Sequence, residues 1–277
     1  MKRRIFLGLA LAVAGLIAAQ VYAPSRTGLN AIAAQEAKAD NAVYGELLGR
    51  YLTASPDGVN RVDYAKWKAS SEDMARLKAY IAYLTAQKPS GFTRDQAFAY
   101  WANLYNALTL QVVLDNYPVA SIKDIKSKGT GFFDVKAWLG PWRTKLVKVE
   151  GKDLSLDDIE HEIMRPTFKD PRVHYSVNCA SIGCPNLKTT PWTAEALEAD
   201  LETGAKAFIN SPRGVVVGDG GKLKVSSIYV WFKEDFGGND EGVIAHLRKY
   251  ASPELAKKLE GNPTLASDDY DWSLNQS

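Results

Sequence analysis

The chain has 277 residues, 46% hydrophobic and 24% charged, with 34 Lys and Arg against 32 Asp and Glu. That composition excludes a largely disordered chain and is enough for one sizeable core. Setting aside Lys2, Arg3 and Arg4 leaves 31 basic against 32 acidic residues, a balance that gives no reason to expect nucleic acid as a partner.

The N-terminus has three parts: the basic Lys2-Arg3-Arg4, an apolar run from Ile5 to about Tyr22, and a cleavage-site pattern at Val21-Tyr22-Ala23. This is the layout of a secretory signal peptide over 1–23, and it implies export to the periplasm or beyond. An uncleaved anchor is the alternative, because the 18 residues from Ile5 to Tyr22 just reach across a bilayer. Gly8, Gly15 and Gln20 weaken that run, which favours cleavage. Residues 24–41 read as a flexible leader, and 42–277 as a single globular domain with no membrane span after signal removal.

Val43, Tyr44, Leu47, Leu48, Tyr51 and Leu52 recur at helical spacing and open the domain. A second helix runs from Ser70-Ser71 to about Leu84. Thr93 and Gln96 then form a capping box ahead of a helix over about 94–116 that is apolar nearly all round, which predicts a largely buried central helix. Val119 to Trp142 is Gly-rich and basic and reads as surface loop. Lys145 to Val149 alternates as a strand and turns at Gly151-Lys152. Ser155 caps a short helix from Leu156 to Met164, stopped by Pro166.

Arg172-Val173-His174-Tyr175-Ser176-Val177-Asn178 alternates with period two and predicts a strand. Thr193 caps a helix to about Ile209. Val215 to Val217 and Leu223 to Val225 flank a Gly-rich turn and read as a hairpin. Helices near 227–235 and 240–250 follow, then one opened by Ser252-Pro253. Tyr270 to Asn275 is patterned enough to dock on the domain. These signals make an α+β fold, helices packed around a small, mainly antiparallel sheet.

Chemistry concentrates in Asp170 to Pro185, which holds both cysteines and one of three histidines. On the predicted strand, Arg172, His174, Ser176 and Asn178 share a polar face suited to lining a cleft. Three readings of Cys179 and Cys184 stay open. In an oxidising compartment the pair forms a disulfide, a modest staple of about 2 kcal/mol for so short a loop. If Ala180-Ser181-Ile182 opens a helix, Cys179 sits at its N-terminus as an activated nucleophile. Metal binding is disfavoured, because Cys-x4-Cys lacks a second ligand pair, and no Gly-rich phosphate loop points to a nucleotide cofactor; no metal and no cofactor are expected.

A straight strand would put His174 about 16 Å from Cys179. His161, with Asp157 one helical turn before it, is therefore the second candidate base. His246 reads as a dipole partner near a helix C-terminus. On the central helix, Asn103 and Asn106 among apolar residues either hold a loop or reach into a pocket.

Several segments together resemble a known family: Ala99-Tyr100-Trp101-Ala102-Asn103-Leu104-Tyr105-Asn106, Leu154 to His161, His174 through Cys184-Pro185, Trp231-Phe232 and Tyr270 to Asn275. They are similar to DUF547, a domain of unknown function, over about residues 80–275, and to its exported bacterial members. The resemblance implies positions without roles: Asn103, Asn106, Asp158, Glu160, His161, His174, Asn178, Cys179 and Cys184 meet the family pattern.

Two functions follow from these residues. One is a thiol-dependent hydrolase or transferase on amide or ester bonds. Its catalytic candidates are Cys179, His174, His161 and Asn178; Asn178, Asn103 or the N–H of Ala180 stabilises the oxyanion. The other is a non-catalytic module for an envelope protein, peptide or glycan, stapled by Cys179–Cys184. The binding candidates are Asn103, Asn106, Arg172, Glu160 and Trp101, with Trp231 beside them.

Overall fold

The helix α4 (Arg94–Asn116) runs through the middle of the molecule. Sixteen of its residues from Phe98 to Leu114 are buried, so its near-uniform apolar character has a core to enter on every side. The structure, a computed structural model, describes residues 40–126 and 140–277. The expected signal peptide, most of the leader and part of the Val119–Trp142 loop lie outside the described residues.

The start of α4 is built as its sequence indicates. Thr93 Oγ1 accepts from Gln96 N at 3.4 Å, and Gln96 Oε1 accepts from Thr93 N at 3.0 Å. Around α4 pack α1 (residues 40–51), α2 (Tyr64–Ala69) and α3 (Ser71–Thr85). Helix is present from Asp40, two residues ahead of the expected boundary, and Asn41 Oδ1 accepts from Tyr80 Oη at 3.0 Å.

The strands are short and form three small sheets. β1 (Leu52–Ala54) pairs antiparallel with β2 (Asn60–Val62), and β3 (Val147–Val149) with β4 (Lys152–Leu154). β5 (Val215–Val217) and β6 (Lys222–Ser226) make the expected hairpin. β7 (Thr264–Asp269) adds to β6 in parallel, so the architecture is α+β with mainly antiparallel pairing.

Two segments differ from expectation, and both bear on the site. The helix expected to stop before Pro166 continues. Asp158–Met164 is π-helical and leads into α5 (Arg165–Phe168), with Arg165 N–H bonded to the carbonyl of Glu160, five residues back. A wide turn of this kind accommodates a helical proline, which has no N–H to offer the preceding turn.

The predicted strand 172–178 is not a strand. Val173–Ser176 forms a helical turn, α6, and all four residues are buried. Asp170-Pro171 decides this. The Asp170 carboxylate accepts from Arg172 N at 2.9 Å, its carbonyl from Val173 N at 3.1 Å, and the Pro171 carbonyl from His174 N at 3.3 Å. Those bonds wind the chain before any sheet partner is available.

Farther on, α7 (Leu197–Ile209) begins after a turn in which Thr193 Oγ1 accepts from Ala196 N. With α8 (Ile228–Trp231), α9 (Asp240–Tyr250) and α10 (Pro253–Lys258) it surrounds a second apolar cluster of Tyr175, Phe208, Tyr229, Phe236 and Leu247. His246 lies inside this cluster and is not a surface dipole partner. Its Nε2 meets Tyr175 Oη at 2.8 Å, and burial lowers its pKa to about 4. Among the described residues no helix is long and apolar enough to cross a membrane.

After β7 the chain runs back across the molecule. Asn275 N donates to Ala180 O, Asn275 O accepts from Val62 N, and Ile182 and Gly183 donate to Ser273 and Asp271. The C-terminal tail is thus bonded to the cysteine segment, as its patterning suggested.

Candidate functional site

Asn178 fixes the geometry of the cysteine loop. Its Oδ1 accepts from Ala180 N at 2.9 Å, while its Nδ2 donates to Pro185 O at 2.8 Å. One amide therefore clamps both ends of the segment that carries Cys179 and Cys184. Asn106, on α4, holds the clamp from behind: its Oδ1 accepts from Asn178 N at 2.8 Å and its Nδ2 donates to Ser176 O at 2.9 Å. Asn103 holds a different segment, exchanging two bonds with the Trp192 backbone. All three amides are buried and paired, which is how such groups are tolerated in a core.

Ala180 does not open a helix. It takes a left-handed conformation at φ +61°, and the chain then bridges to the C-terminal tail. The expected helix N-terminus beside Cys179 is therefore absent. So are the expected oxyanion donors: the Asn178 and Asn103 amides and the Ala180 N–H are all engaged within the fold.

The sulfurs of Cys179 and Cys184 stand 2.8 Å apart, well beyond the ~2.05 Å of a disulfide bond, and both cysteines are free. Around them are Tyr270 Oη at 3.0 Å and Ser181 Oγ at 3.2 Å from Cys179 Sγ. Cys179 N–H donates to Cys184 Sγ at 3.0 Å. The environment splits the two thiols. Its bond to Cys184, together with burial, pushes the Cys179 thiol well up. Burial acts against ionisation of Cys184 as well, but the bonds from the Cys179 thiol, Tyr270 and the Cys179 N–H outweigh it and pull Cys184 down. The thiolate form is therefore favoured more at Cys184 than at Cys179.

These sulfurs lie on a cleft of about 310 Å³. One wall is aromatic: Trp142, Trp231, Tyr270 and Trp272, with Trp231 48% exposed. Tyr270 and Trp272 ring centres lie 4.6 Å apart, and Trp231 stacks on Trp272 at 5.7 Å. The lining also includes Asp157, Glu160, His161, His174 and Phe232.

His174 is 3% exposed and lies between two carboxylates. Its Nε2 is 2.7 Å from Asp235 Oδ2 and its Nδ1 is 3.7 Å from Glu160 Oε1, with the ring stacked on Phe232 at 4.5 Å. Burial alone would lower its pKa, but Asp235 and Glu160 outweigh that and raise it. With an acceptor facing each nitrogen, the surroundings favour the imidazolium form of the ring.

Arg165 joins this pair to His161. Its Nε donates to Asp235 Oδ2 at 2.6 Å, and its Nη1 lies 3.3 Å from His161 Nδ1. A guanidinium only donates, so His161 Nδ1 accepts and Nε2 carries the ring proton toward Asp157, 4.0 Å away. Neither histidine forms a hydrogen bond to a cysteine sulfur.

Residues 89–209 match the family model described as "Protein of unknown function, DUF547". The chain carries a DUF547 domain. Comparison with curated proteins and with solved structures returns no match. The DUF547 match takes in the amide clamp, the π-helical wall and both cysteines. Trp231, Tyr270 and Trp272 lie beyond its end, although they line the same cleft.

Of the residues singled out in the sequence, the cleft of the DUF547 domain brings together Glu160, His161, His174, Cys179 and Cys184. Asn103, Asn106 and Asn178 support it from the core. Trp101 is buried against Tyr100 and does not line it. Arg172 is held by Asp170 at 2.7 Å and by Glu198, also away from it. Sequence reasoning missed Asp235, Arg165 and Tyr270. Only Tyr270 had left a signal, in a C-terminal tail too patterned to fray. Among the described residues no group of three or more His, Cys, Asp or Glu side chains is arranged to hold a metal ion.

Proposed function

We propose that this is an exported cell-envelope enzyme, a thiol-dependent hydrolase or transferase acting on amide or ester bonds. Cys179 carries the reading: it is the less buried cysteine lining a cleft that also holds His161 and Glu160. As Cys179 Sγ bonds to an acyl carbon, its proton passes to the Cys184 sulfur 2.8 Å away, which is present as the thiolate. The carbonyl electron pair moves onto oxygen, where the Tyr270 and Ser181 hydroxyls are the nearest donors. Collapse of that intermediate expels the amine or alcohol, which takes up the proton held on Cys184. Water or a second nucleophile then releases the acyl group.

Export rests on the basic, apolar and cleavage-site segments within residues 1–23. Cell fractionation followed by N-terminal sequencing tests it, with Pro24 the expected first residue. The activity is tested by presenting the mature protein with a panel of activated esters and peptide amides. Turnover is expected in the wild type and absent from folded Cys179→Ser; turnover retained in that variant excludes the mechanism.

A second reading, a non-catalytic module for an envelope protein, peptide or glycan, is favoured by the exposed Trp231 beside Trp272 and Tyr270. With the two sulfurs closed into a staple, Cys179→Ser lowers stability and leaves ligand binding otherwise unchanged. Titrating Trp fluorescence of that variant with peptides and oligosaccharides separates the two readings.

A further inference from the structure

The Cys179–Cys184 loop is held shut without a bond between its sulfurs. Asn178 ties Ala180 N–H to Pro185 C=O, and Arg213 Nη1 donates to Cys184 O at 2.6 Å and Ile182 O at 3.2 Å. The tail adds Ile182 N to Ser273 O and Gly183 N to Asp271 O, both at 2.8 Å. A disulfide here would staple a loop that three other groups already staple. Its thiols nonetheless face each other at 2.8 Å on an open cleft.

Going beyond the acyl-transfer reading, and independently of it, we propose that Cys179 and Cys184 form a reversible dithiol–disulfide couple that exchanges with thiols and disulfides entering the cleft. Because the clamps hold in the dithiol form, the sulfurs need only close on each other, and the surrounding backbone keeps its shape. The two positions are also unequal. Cys179 is partly exposed, whereas Cys184 is 5% exposed and receives the Cys179 N–H at 3.0 Å.

The chemistry follows from that inequality. In the oxidised form an incoming thiolate attacks Cys179, the reachable sulfur. A mixed disulfide forms, the Cys179–Cys184 bond breaks, and its electron pair leaves on Cys184. The Cys179 N–H, 3.0 Å from Cys184 Sγ, receives that charge, which makes Cys184 the better leaving group. A second thiolate then attacks the substrate sulfur of the mixed disulfide and leaves with it as a disulfide. Cys179 departs as a thiolate and takes up a proton. Two substrate thiols are oxidised and one protein disulfide is reduced. The reverse sequence, with a substrate disulfide as oxidant, regenerates the protein disulfide.

The full-length mature protein is equilibrated in buffers of reduced and oxidised glutathione, quenched in acid, alkylated and weighed intact. The wild type is expected to pass between a form with two alkylated sulfurs and one with none. Cys184→Ser is expected to trap about one glutathione per chain on Cys179, because the resolving sulfur is gone. Cys179→Ser is expected to react at least ~10-fold more slowly. Circular dichroism confirms that each variant is folded; if one is not, the wild-type titration decides alone. A wild type that stays fully alkylatable in oxidised glutathione overturns the couple. So does one that never becomes alkylatable in reduced glutathione, or single variants that react equally fast. Ester and amide turnover of the reduced wild type is assayed in parallel, so either activity can fail without the other.

Discussion

His174 Nε2 lies 2.7 Å from Asp235 Oδ2, across 61 residues of sequence. That contact removes His174 from the set of free bases and places it, buried, between Glu160 and Asp235, with Arg165 also bonded to Asp235. His161, at 27% side-chain exposure, is the histidine left to exchange protons with the cleft.

The pH dependence of stability tests this assignment. The raised pKa of His174 gives stability that is complete below the unfolded value of about 6.5 and is lost as pH rises through the folded value. Asp235 acts in the opposite sense. Despite burial, His174 and Arg165 hold it at about 2, so its contribution is present above roughly pH 4 and is lost toward pH 2. Urea midpoints should therefore fall from about pH 6.5 upward in the wild type. His174→Gln should be less stable by roughly 3–5 kcal/mol below that pH and lack the alkaline decline. Parallel profiles for the two proteins would show that the ring is not an imidazolium.

Asn106→Ala should orphan Asn178 N–H and Ser176 C=O, at about 1–3 kcal/mol for each group. The loop it supports carries Cys179, so the alkylation rate of that thiol should change as well. Asn103→Ala should lose similar stability through Trp192 and leave the thiol rate unaltered. Chemical denaturation together with thiol labelling checks the pair of variants; equal labelling in both would remove Asn106 from the site.

Tyr270→Phe keeps the ring against Trp272 and removes the hydroxyl from the sulfur pair. Because that hydroxyl lowers the Cys184 pKa, the midpoint of its alkylation rate against pH should move to higher pH. Stability should change by no more than about 1 kcal/mol. An unmoved midpoint would mean that Tyr270 does not stabilise the thiolate.

Gly183→Ala tests how the tail is seated. A Cβ there would lie 2.8 Å from Asp271 N and 3.0 Å from Asp271 O, so backbone must shift. A loss of about 1–3 kcal/mol is expected. Displacing the tail should also reproduce the Tyr270→Phe effect on alkylation. A destabilised variant with normal thiol behaviour would separate the tail from the site.

The central helix and its capping box were legible in the sequence because their signals are local: a hydroxyl and an amide three residues apart, then an apolar run with no polar face. The hairpin and the docked tail were legible for similar reasons. Glu160, His161, His174 and the cysteines could be named as site members from residue type and clustering. Their roles could not. Alternation in Arg172–Asn178 suggested a strand, but the turn bonds of Asp170-Pro171 wound Val173–Ser176 into a helical turn with all four residues buried. Period-two hydrophobicity describes which faces a strand would have, and it does not supply the partner that a strand needs.

What the sequence determined by itself was the presence of one α+β fold around a buried helix and the segments from which its site is drawn. Tertiary structure alone decided which histidine is held between carboxylates and which amides are clamps, and it placed Tyr270 in the cleft and Asp235 against His174. The physical reason is range. Caps, turns and apolar periodicity act over three to five residues. The protonation of His174 and of the two thiols is set by groups up to 91 residues away, brought within about 3 Å only once the core has closed.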